Sequence, residues 1–440
     1  MRISKIRILI IALVLVIPLP FRVFGIGLSF NPGKKLPSTL AARVKMKDLI
    51  TSPFDGNLRI MPDVIIDPVE ESVINFFGKV TAKEINLYFS LDYGMDFSSV
   101  KKGSCEIIKV PGGADGSISE IRFYIKDDSL SYAGIYPDPV SGESRMKIYL
   151  YGFLMQEDIK VPLPVSEAAV APFDRIEALT SSYVDWSFYL PDPDYIYSDD
   201  VIRLSDRIIP LLKFLRDADD GAMDKDGNYV YIDTLLPQQG EGGLNCSGFA
   251  KWVIDGIYYT RTGSYTDITA MKKKDKALRG SRWTAKIEDS QDPFFGLDWT
   301  RNLADALTKT INPGEKSGDT DVKNLKFHTY VENVGYPLKD LKTILYELAV
   351  TSPDYFYLGS INMITEDPPG IRKHLHVVVL FPYIDSFGEF HDIVLSRNKK
   401  VSLKELGKSY PDSFIHLVKV KADPGFDPPG MKFDPTIRRF

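Results

Sequence analysis

A glycine-rich turn that ends in a cysteine and runs straight into an amphipathic helix is the most restrictive pattern in this chain. It reads GGLNCSGFAKWVIDGIYY, from Gly242 to Tyr259. Asn245 is a good N-cap, and Ser247-Gly248 allow close approach to the turn. Phe249, Val253 and Ile257 recur at spacing four, which gives the helix one buried face. A thiol at a helix N-terminus faces unpaired N–H groups and the positive end of the helix dipole, both of which favour the thiolate. The helix must therefore pack by one side while its first residue stays reachable.

The chain has 440 residues, room for two or three domains. A net charge of -5 and the lack of a basic stripe argue against nucleic-acid partners. Residues 1–25 carry Arg2, Lys5 and Arg7 and then an apolar run from Ile8 to Phe21, too short to span a bilayer. They read as a signal peptide, which predicts a secreted or periplasmic protein of the cell envelope. With only Cys105 and Cys246, no disulfide framework is expected. Cys105 reads as a small buried residue on a strand.

Residues 37–160 are strand-rich: NLRIMPDVII, EINLYFSLDY, SCEIIKV, EIRFYIK and RMKIYLYGFL are separated by turn clusters. This spacing predicts an all-β, sandwich-like accessory domain. It contains no histidine, so its role is binding, spacing or targeting, with a cell-envelope partner as one expectation. Residues 161–175, rich in Pro and Ala, read as a linker. Residues 176–422 change texture and read as an α+β domain. Helices are predicted over 200–216, with a kink at Pro210, and over 337–350. Strands are predicted at DYFYLGSINMI, HLHVVVLFPYI, EFHDIVLS and SFIHLVKV. Residues 423–440 read as a proline-rich tail.

All five histidines follow the cysteine, at 328, 374, 376, 391 and 416. Thiol acyl transfer needs a base near neutral pKa and a third polar group that fixes its tautomer. His374 and His376 are two apart, so a regular strand puts them on one face. His376, which abuts the Val-Val-Val run, is the favoured base. His391, on the next strand, is the expected orienting residue, with Asp385 and Asp392 as substitutes. Tyr229, Tyr231, Gln239 and Ser247 are candidates for oxyanion or substrate contacts. No metal or cofactor is required.

The segment LeuAsnCysSerGlyPheAlaLysTrpVal resembles the Asp-Cys-Ser-Gly-Phe/Leu-Val signature of NlpC-type cell-wall peptidases, in the papain-like superfamily. SerProAspTyrPheTyrLeu, HisValValValLeu and GluPheHisAsp are similar to that family's later strands. The resemblance covers roughly residues 225–400. It implies a papain-like catalytic domain, a cysteine peptidase or amidase, with peptidoglycan stem peptides as substrate. It maps Cys246 to the nucleophile, His376 to the base and His391 to the orienting residue, and Tyr231 to the tyrosine that often completes the site. Asn245 stands where the family has aspartate, and 130 positions separate Cys246 from His376, more than the family's usual spacing. Hydrolysis and acyl transfer to a second amine fit the same residues.

Three other readings compete. His374, His376 and His391 together have the make-up of a three-histidine zinc site. AspLysAspGlyAsnTyr at 224–229 resembles part of a calcium loop, although Ala222 falls where its first carboxylate belongs. The chain also fits a non-catalytic surface protein that keeps a hydrolase fold without its activity.

Overall fold

The computed structural model describes residues 36–91, 100–112, 117–275, 294–311, 320–364 and 372–431. The expected signal peptide lies outside them. The architecture is mixed α and β, built on antiparallel sheets. Residues 33–440 cluster as one compact unit.

The first half is one eight-stranded antiparallel meander, not a two-sheet sandwich, with its strands in sequence order. They are β1 (Asp63–Ile66), β2 (Val73–Val80), β3 (Ile85–Ser90), β4 (Cys105–Lys109), β5 (Ile118–Tyr124), β6 (Tyr132–Pro137), β7 (Ser144–Leu150) and β8 (Phe153–Val161). Register explains why one sheet suffices. Leu87, Ile107, Ile121, Ile135, Met146 and Ile159 lie opposite one another in a row across six strands, all buried. Phe76, Phe89, Cys105, Phe123, Ala133 and Ile148 form the neighbouring buried row. A small residue at 105 fits between Phe89 and Phe123. Burial pushes the Cys105 thiol up to about 12, and both cysteines are free. RMKIYLYGFL, expected as one strand, is two strands joined by Tyr151-Gly152, both at positive φ.

Helices supply the second layer that a sandwich would have needed. Leu40–Lys45, Lys47–Thr51, Val165–Val170 and Phe173–Thr180 bring Ala42, Ile50, Val165, Ala168, Ala169 and Ile176 into the same core. The segment 161–175 is therefore a packed element and not a free linker. Its end carbonyls anchor a buried cation: Arg43 Nη1 donates to Ala169 O at 2.6 Å and to Ala171 O at 2.9 Å. Pro and Ala at these positions cap and pack short helices, which is why they mimic linker composition.

The second half centres on a six-stranded antiparallel sheet of order β11-β16-β12-β13-β14-β15. These strands are β11 (Tyr336–Pro337), β12 (Tyr355–Ile364), β13 (Arg372–Ile384), β14 (Phe390–Ser396), β15 (Lys399–Val401) and β16 (Phe414–Lys421). A two-stranded hairpin, β9 (Ala222–Met223) with β10 (Tyr229–Val230), precedes it. Val377, Val379 and Phe381 of β13 share a core with the helices Asp199–Ile208, Cys246–Thr262 and Phe295–Ile311. Val378 and Leu380 share another with Leu341–Thr351 and Leu403–Ser409. The uninterrupted apolar run of β13 is thus explained by burial on both faces. At Pro210, which lacks an N–H, the α-helix gives way to a 3₁₀ turn over Ile209–Phe214. The described part of the tail is packed: Trp252 Nε1 donates to Pro429 O at 3.1 Å, and Asp427 N to Gly256 O at 2.9 Å.

The two halves share apolar surface. Tyr346 and Ala349 of Leu341–Thr351, and Ile384 at the end of β13, belong to the meander's core. Tyr346 donates its hydroxyl to Phe188 O at 2.8 Å. His328 packs against Phe153 in a tilted arrangement, with ring centroids 4.6 Å apart. Burial holds His328 down to about 4, and its Nε2 has no hydrogen-bond partner among the described residues. The unfolded chain binds the His328 proton near pH 6.5 while the folded chain resists it until about 4, so stability is lost as pH falls through that window. His328→Phe keeps the ring contact with Phe153 and removes the titration. Its urea midpoint should fall less than that of the wild-type chain between pH 7 and pH 4.5, and an equal fall would assign the acid sensitivity elsewhere.

Candidate active site

The turn before the cysteine is held by backbone and by one glutamine. Gln238 Nε2 donates to Val230 O and to Gly243 O, both at 2.9 Å, and its Oε1 accepts from Gly243 N at 2.8 Å. Asn245 N donates to Gly221 O at 2.9 Å, and the Asn245 side chain accepts from Gly248 N at 2.8 Å. The expected N-cap is therefore formed and satisfies an otherwise unpaired amide of the first turn. Glycine is required at 248, because a Cβ there would overlap the Gly221 carbonyl. Ser247 is buried, and its carbonyl accepts from Trp299 Nε1 at 2.9 Å. A buried Lys251–Asp255 ion pair stiffens the next turn, and Asp255 also accepts from Thr266 N and Oγ1. Cys246 itself is only partly buried.

His376 enters from the sheet. A β-bulge decides its direction. His376 lies opposite Ile361 and His374 opposite Asn362, so Leu375 is an extra residue on β13. Adjacent residues of β12 point to opposite faces, and the two histidines accordingly part company. The expectation that they share a face is corrected by this bulge. His374 lies against Phe295, at 5.7 Å between rings, and against Gly296 at the start of the Phe295–Ile311 helix. His376 is 4% exposed and stacks on Tyr410 at 5.3 Å between rings. Its Nε2 meets Ser396 Oγ at 2.7 Å. Burial, then the charge of Arg397 and of His374, lower its pKa to about 4.

The cysteine and this histidine have two groups within electrostatic reach in common. Cys246 acts electrostatically on both Tyr410 and Arg397. Tyr410 is the ring that stacks on His376, and Arg397 is the cation that acts on it. Arg397 Nη1 donates to both oxygens of Asp217, at 2.9 and 2.7 Å. Asp217 in turn bridges Leu244, two residues before the thiol. Burial raises the Tyr410 phenol, and the Cys246 charge adds to it. Tyr410 and Arg397 are thus within electrostatic reach of both groups, but His376 falls on the β13 face of Val378 and Leu380, whereas Cys246 packs on the face of Val377 and Val379, where His374 lies against Phe295.

His391 is not part of this cluster. It pairs with Tyr383, seven residues further along β13, which is about 23 Å at strand rise. There it stacks on Tyr383 and binds Asp385 Oδ2 at 2.9 Å. Asp392, opposite Pro382, is at the same distant end. The side chain hydrogen-bonded to His376 is instead Ser396, a residue that sequence reasoning missed. Tyr231 and Gln239 lie on the exposed side of the hairpin loop, and Tyr229 is the tyrosine that packs on the turn at Gly242. The Ser247 hydroxyl is 4.0 Å from the Cys246 sulfur, a weak contact. Asp217, Arg397 and Tyr410 were also missed.

The rival sites come apart in the same geometry. His374, His376 and His391 do not converge, and the described residues hold no group of three or more His, Cys, Asp or Glu placed to bind a metal. Asp224 Oδ1 accepts from Asp226 N and Asn228 N, while Gly227 turns at φ +85°. That is an Asx-type hairpin turn with its carboxylate already engaged.

Residues 91–188 match a family described as a domain of unknown function (DUF8515). The match takes in β4 to β8 and the helices that follow, so it runs through the segment expected as a linker. It covers neither Cys246 nor His376. No curated protein and no solved structure matches the chain.

The neutral state of His376 is a measurable property of this arrangement. In ¹⁵N–¹H spectra its ring should titrate near 4, and Tyr410→Ala, which uncovers it, should move the midpoint up toward the ordinary histidine value. A wild-type midpoint near 6.5 would mean that the ring is not packed as described.

Proposed function

We propose that the chain is a thiol hydrolase with a papain-like catalytic half, acting on an amide bond. The observation that carries this reading is a partly buried Cys246 at the capped start of a long helix, with Tyr410 and Arg397 within electrostatic reach of both it and His376. Cys246 sits at the N-terminus of a 17-residue helix, where a developing negative charge is favoured. Its sulfur attacks the carbonyl carbon, and the thiol proton passes to His376. With Nε2 donating to Ser396 Oγ, Nδ1 carries the lone pair that receives it. The backbone N–H groups of the helix start are the nearest donors for the oxyanion. The tetrahedral adduct collapses, the C–N bond breaks and His376 returns the proton to the leaving amine. Water, deprotonated by the same ring, then attacks the thioester and frees the thiol.

His376 is neutral through the physiological range, so its lone pair is free for the thiol proton, although a pKa of about 4 lies below the near-neutral value that best suits such a base. Ser396 takes the orienting role first expected of His391. The resemblance around Cys246 favours a peptidoglycan stem peptide as substrate, in the cell envelope, with acyl transfer to a second amine as a variant of the same chemistry. No helix among the described residues is long and apolar enough to cross a membrane. The meander half is assigned a binding role toward an envelope partner.

A second reading, a surface protein without activity, is favoured by one observation: His376 is nearly covered by Tyr410. Digestion of purified peptidoglycan, with fragments identified by mass, separates the two. Wild type should release new amine and carboxyl ends, and Cys246→Ala should release none. Ser396→Ala should lower kcat by about tenfold to a hundredfold, as expected when a base loses its orientation and keeps its identity. The acid limb of kcat/KM should lie near 4, where His376 takes up its proton. Equal fragment release by wild type and Cys246→Ala would end the hydrolase reading.

A further inference from the structure

Strand β1 is the end strand of the meander, and the segment that contains it reads almost the same in both directions. From Met61 to Val69 it is MPDVIIDPV. About Ile65, Val64 mirrors Ile66, Asp63 mirrors Asp67, Pro62 mirrors Pro68 and Met61 mirrors Val69. Such a segment is complementary to a second copy of itself laid antiparallel across a two-fold axis.

Register shows which backbone groups the edge offers. Asp67 N donates to Ser72 O at 2.9 Å, so the backbone at Asp67 faces the β2 side. In an antiparallel pair that direction alternates along the strand. Ile65 and Asp63, opposite Ile74 and Phe76, therefore face β2 as well, while Val64 and Ile66 turn their N–H and C=O outward. Among the described residues no strand pairs with β1 on that outer side. Val64 N donates locally, to Asp63 Oδ1 at 2.9 Å. The side chains agree with the backbone. Val64 and Ile66 are 52% and 69% exposed, and Met61 and Val69 are 79% and 85% exposed, while Ile65 between them is buried in the meander's core. Sheet edges are ordinarily guarded by charge, a bulge or a covering element. Here the open edge is lined with large apolar groups, and the two prolines, which lack an N–H, confine pairing to residues 63–67.

We propose that β1 is a dimerisation edge, at which two copies of the chain pair antiparallel about a two-fold axis at Ile65 and join their meanders into one sheet. Val64 of each copy then lies opposite Ile66 of the other, and these are the pairs that exchange both backbone hydrogen bonds. The exposed Val64 and Ile66 side chains of the two copies cover one another on the outer face. Ile65 meets its own mate on the axis and carries the buried face across, and Met61 comes opposite Val69. The mirrored aspartates also meet, and each is answered within its own copy. Asp63 Oδ2 holds Lys45 Nζ at 2.7 Å, and Asp67 Oδ1 accepts from Val69 N at 2.8 Å and Glu70 N at 3.1 Å. The hydrolase reading is not needed for any of this.

Sedimentation velocity of the full chain over a dilution series tests it. Wild type should pass from dimer to monomer on dilution. Ile66→Pro removes an N–H that β2 does not use, so the melting midpoint should stay near that of wild type. The dimer dissociation constant should rise about tenfold or more, since each of the two pairs loses a backbone hydrogen bond. Ile66→Lys should weaken the dimer as well, and Val140→Lys, which alters a side chain 93% exposed on the β6–β7 turn, should not. In the Val64→Cys/Ile66→Cys chain, mild oxidation should link position 64 of one copy to position 66 of the other, read by peptide mass. A chain that is monomeric at every concentration overturns the proposal. A dimer that both Ile66 variants leave as tight as wild type also overturns it, and links chiefly between like positions, 64 to 64 or 66 to 66, would refute the two-fold at Ile65.

Discussion

Strand β13 is the member on which the rest of the second half depends. Its Val377, Val379 and Phe381 form one core, and Val378 and Leu380 another. A strand enclosed on both faces cannot slip by one residue without exchanging two packed layers. The cysteine helix is pressed against one of those layers, and the helix bearing Tyr346 against the other. Tyr346 then reaches across to the carbonyls of Phe188 and Tyr189, which fixes the meander relative to the sheet. At its N-terminal end the same strand breaks its own rule once, at Leu375. That single extra residue turns His376 toward Tyr410 and Ser396 and leaves His374 against the Phe295–Ile311 helix. The two histidines are thus parted by an irregularity in an otherwise over-determined strand.

Much of this half was legible because its signals are local. Asn245, Cys246 and the spacing of Phe249, Val253 and Ile257 produce the helix they predict, starting at the cysteine. Strands β12, β13, β14 and β16 form where the sequence places them. The position of His391 is a matter of register, and the turn itself specifies it. The turn after Ile384 pairs Ile384 with Phe390, so partners on β13 and β14 sum to 774. By that count His391 belongs opposite Tyr383, and the residue beside His376 must come from the Ser396–Asn398 end. The bulge, by contrast, has no signature in the histidine pair itself. Alternation counted through Leu375 gives the wrong face, because the extra residue shows only in pairing with β12.

The meander teaches a different lesson. Its strands have the alternation of a half-buried sheet, and alternation cannot say what covers the buried face. A second sheet and a layer of helices satisfy it equally. The helices that do the covering are short, between five and eight residues for Lys47–Thr51, Leu40–Lys45, Val165–Val170 and Phe173–Thr180. At that length periodicity barely registers, and stability comes from tertiary burial and not from propensity. The Pro-Ala composition of 161–173 therefore reads as a linker, while Ala168, Ala169 and Ala171 are buried in the core. The DUF8515 match, which extends to residue 188, groups these helices with the strands they cover.

The electrostatics of the thiol site follow from what stands behind the imidazole. A carboxylate in the orienting position would stabilise the protonated ring and raise its pKa. Here the partner of Nε2 is a hydroxyl, and the nearest strong charge is the cation of Arg397. Burial therefore prevails, and His376 is held neutral. The Asp217 carboxylate, which acts to raise His376, is held by Arg397. The positive charge that acts on Cys246 is thus carried by a guanidinium that cannot lose its proton, while His376 is left uncharged. Base and cation are separate groups on adjacent strands, set by the β13 bulge in one case and by the β14–β15 turn in the other. On the proposed reading, the cation keeps its charge at every pH at which His376 is neutral and able to accept a proton.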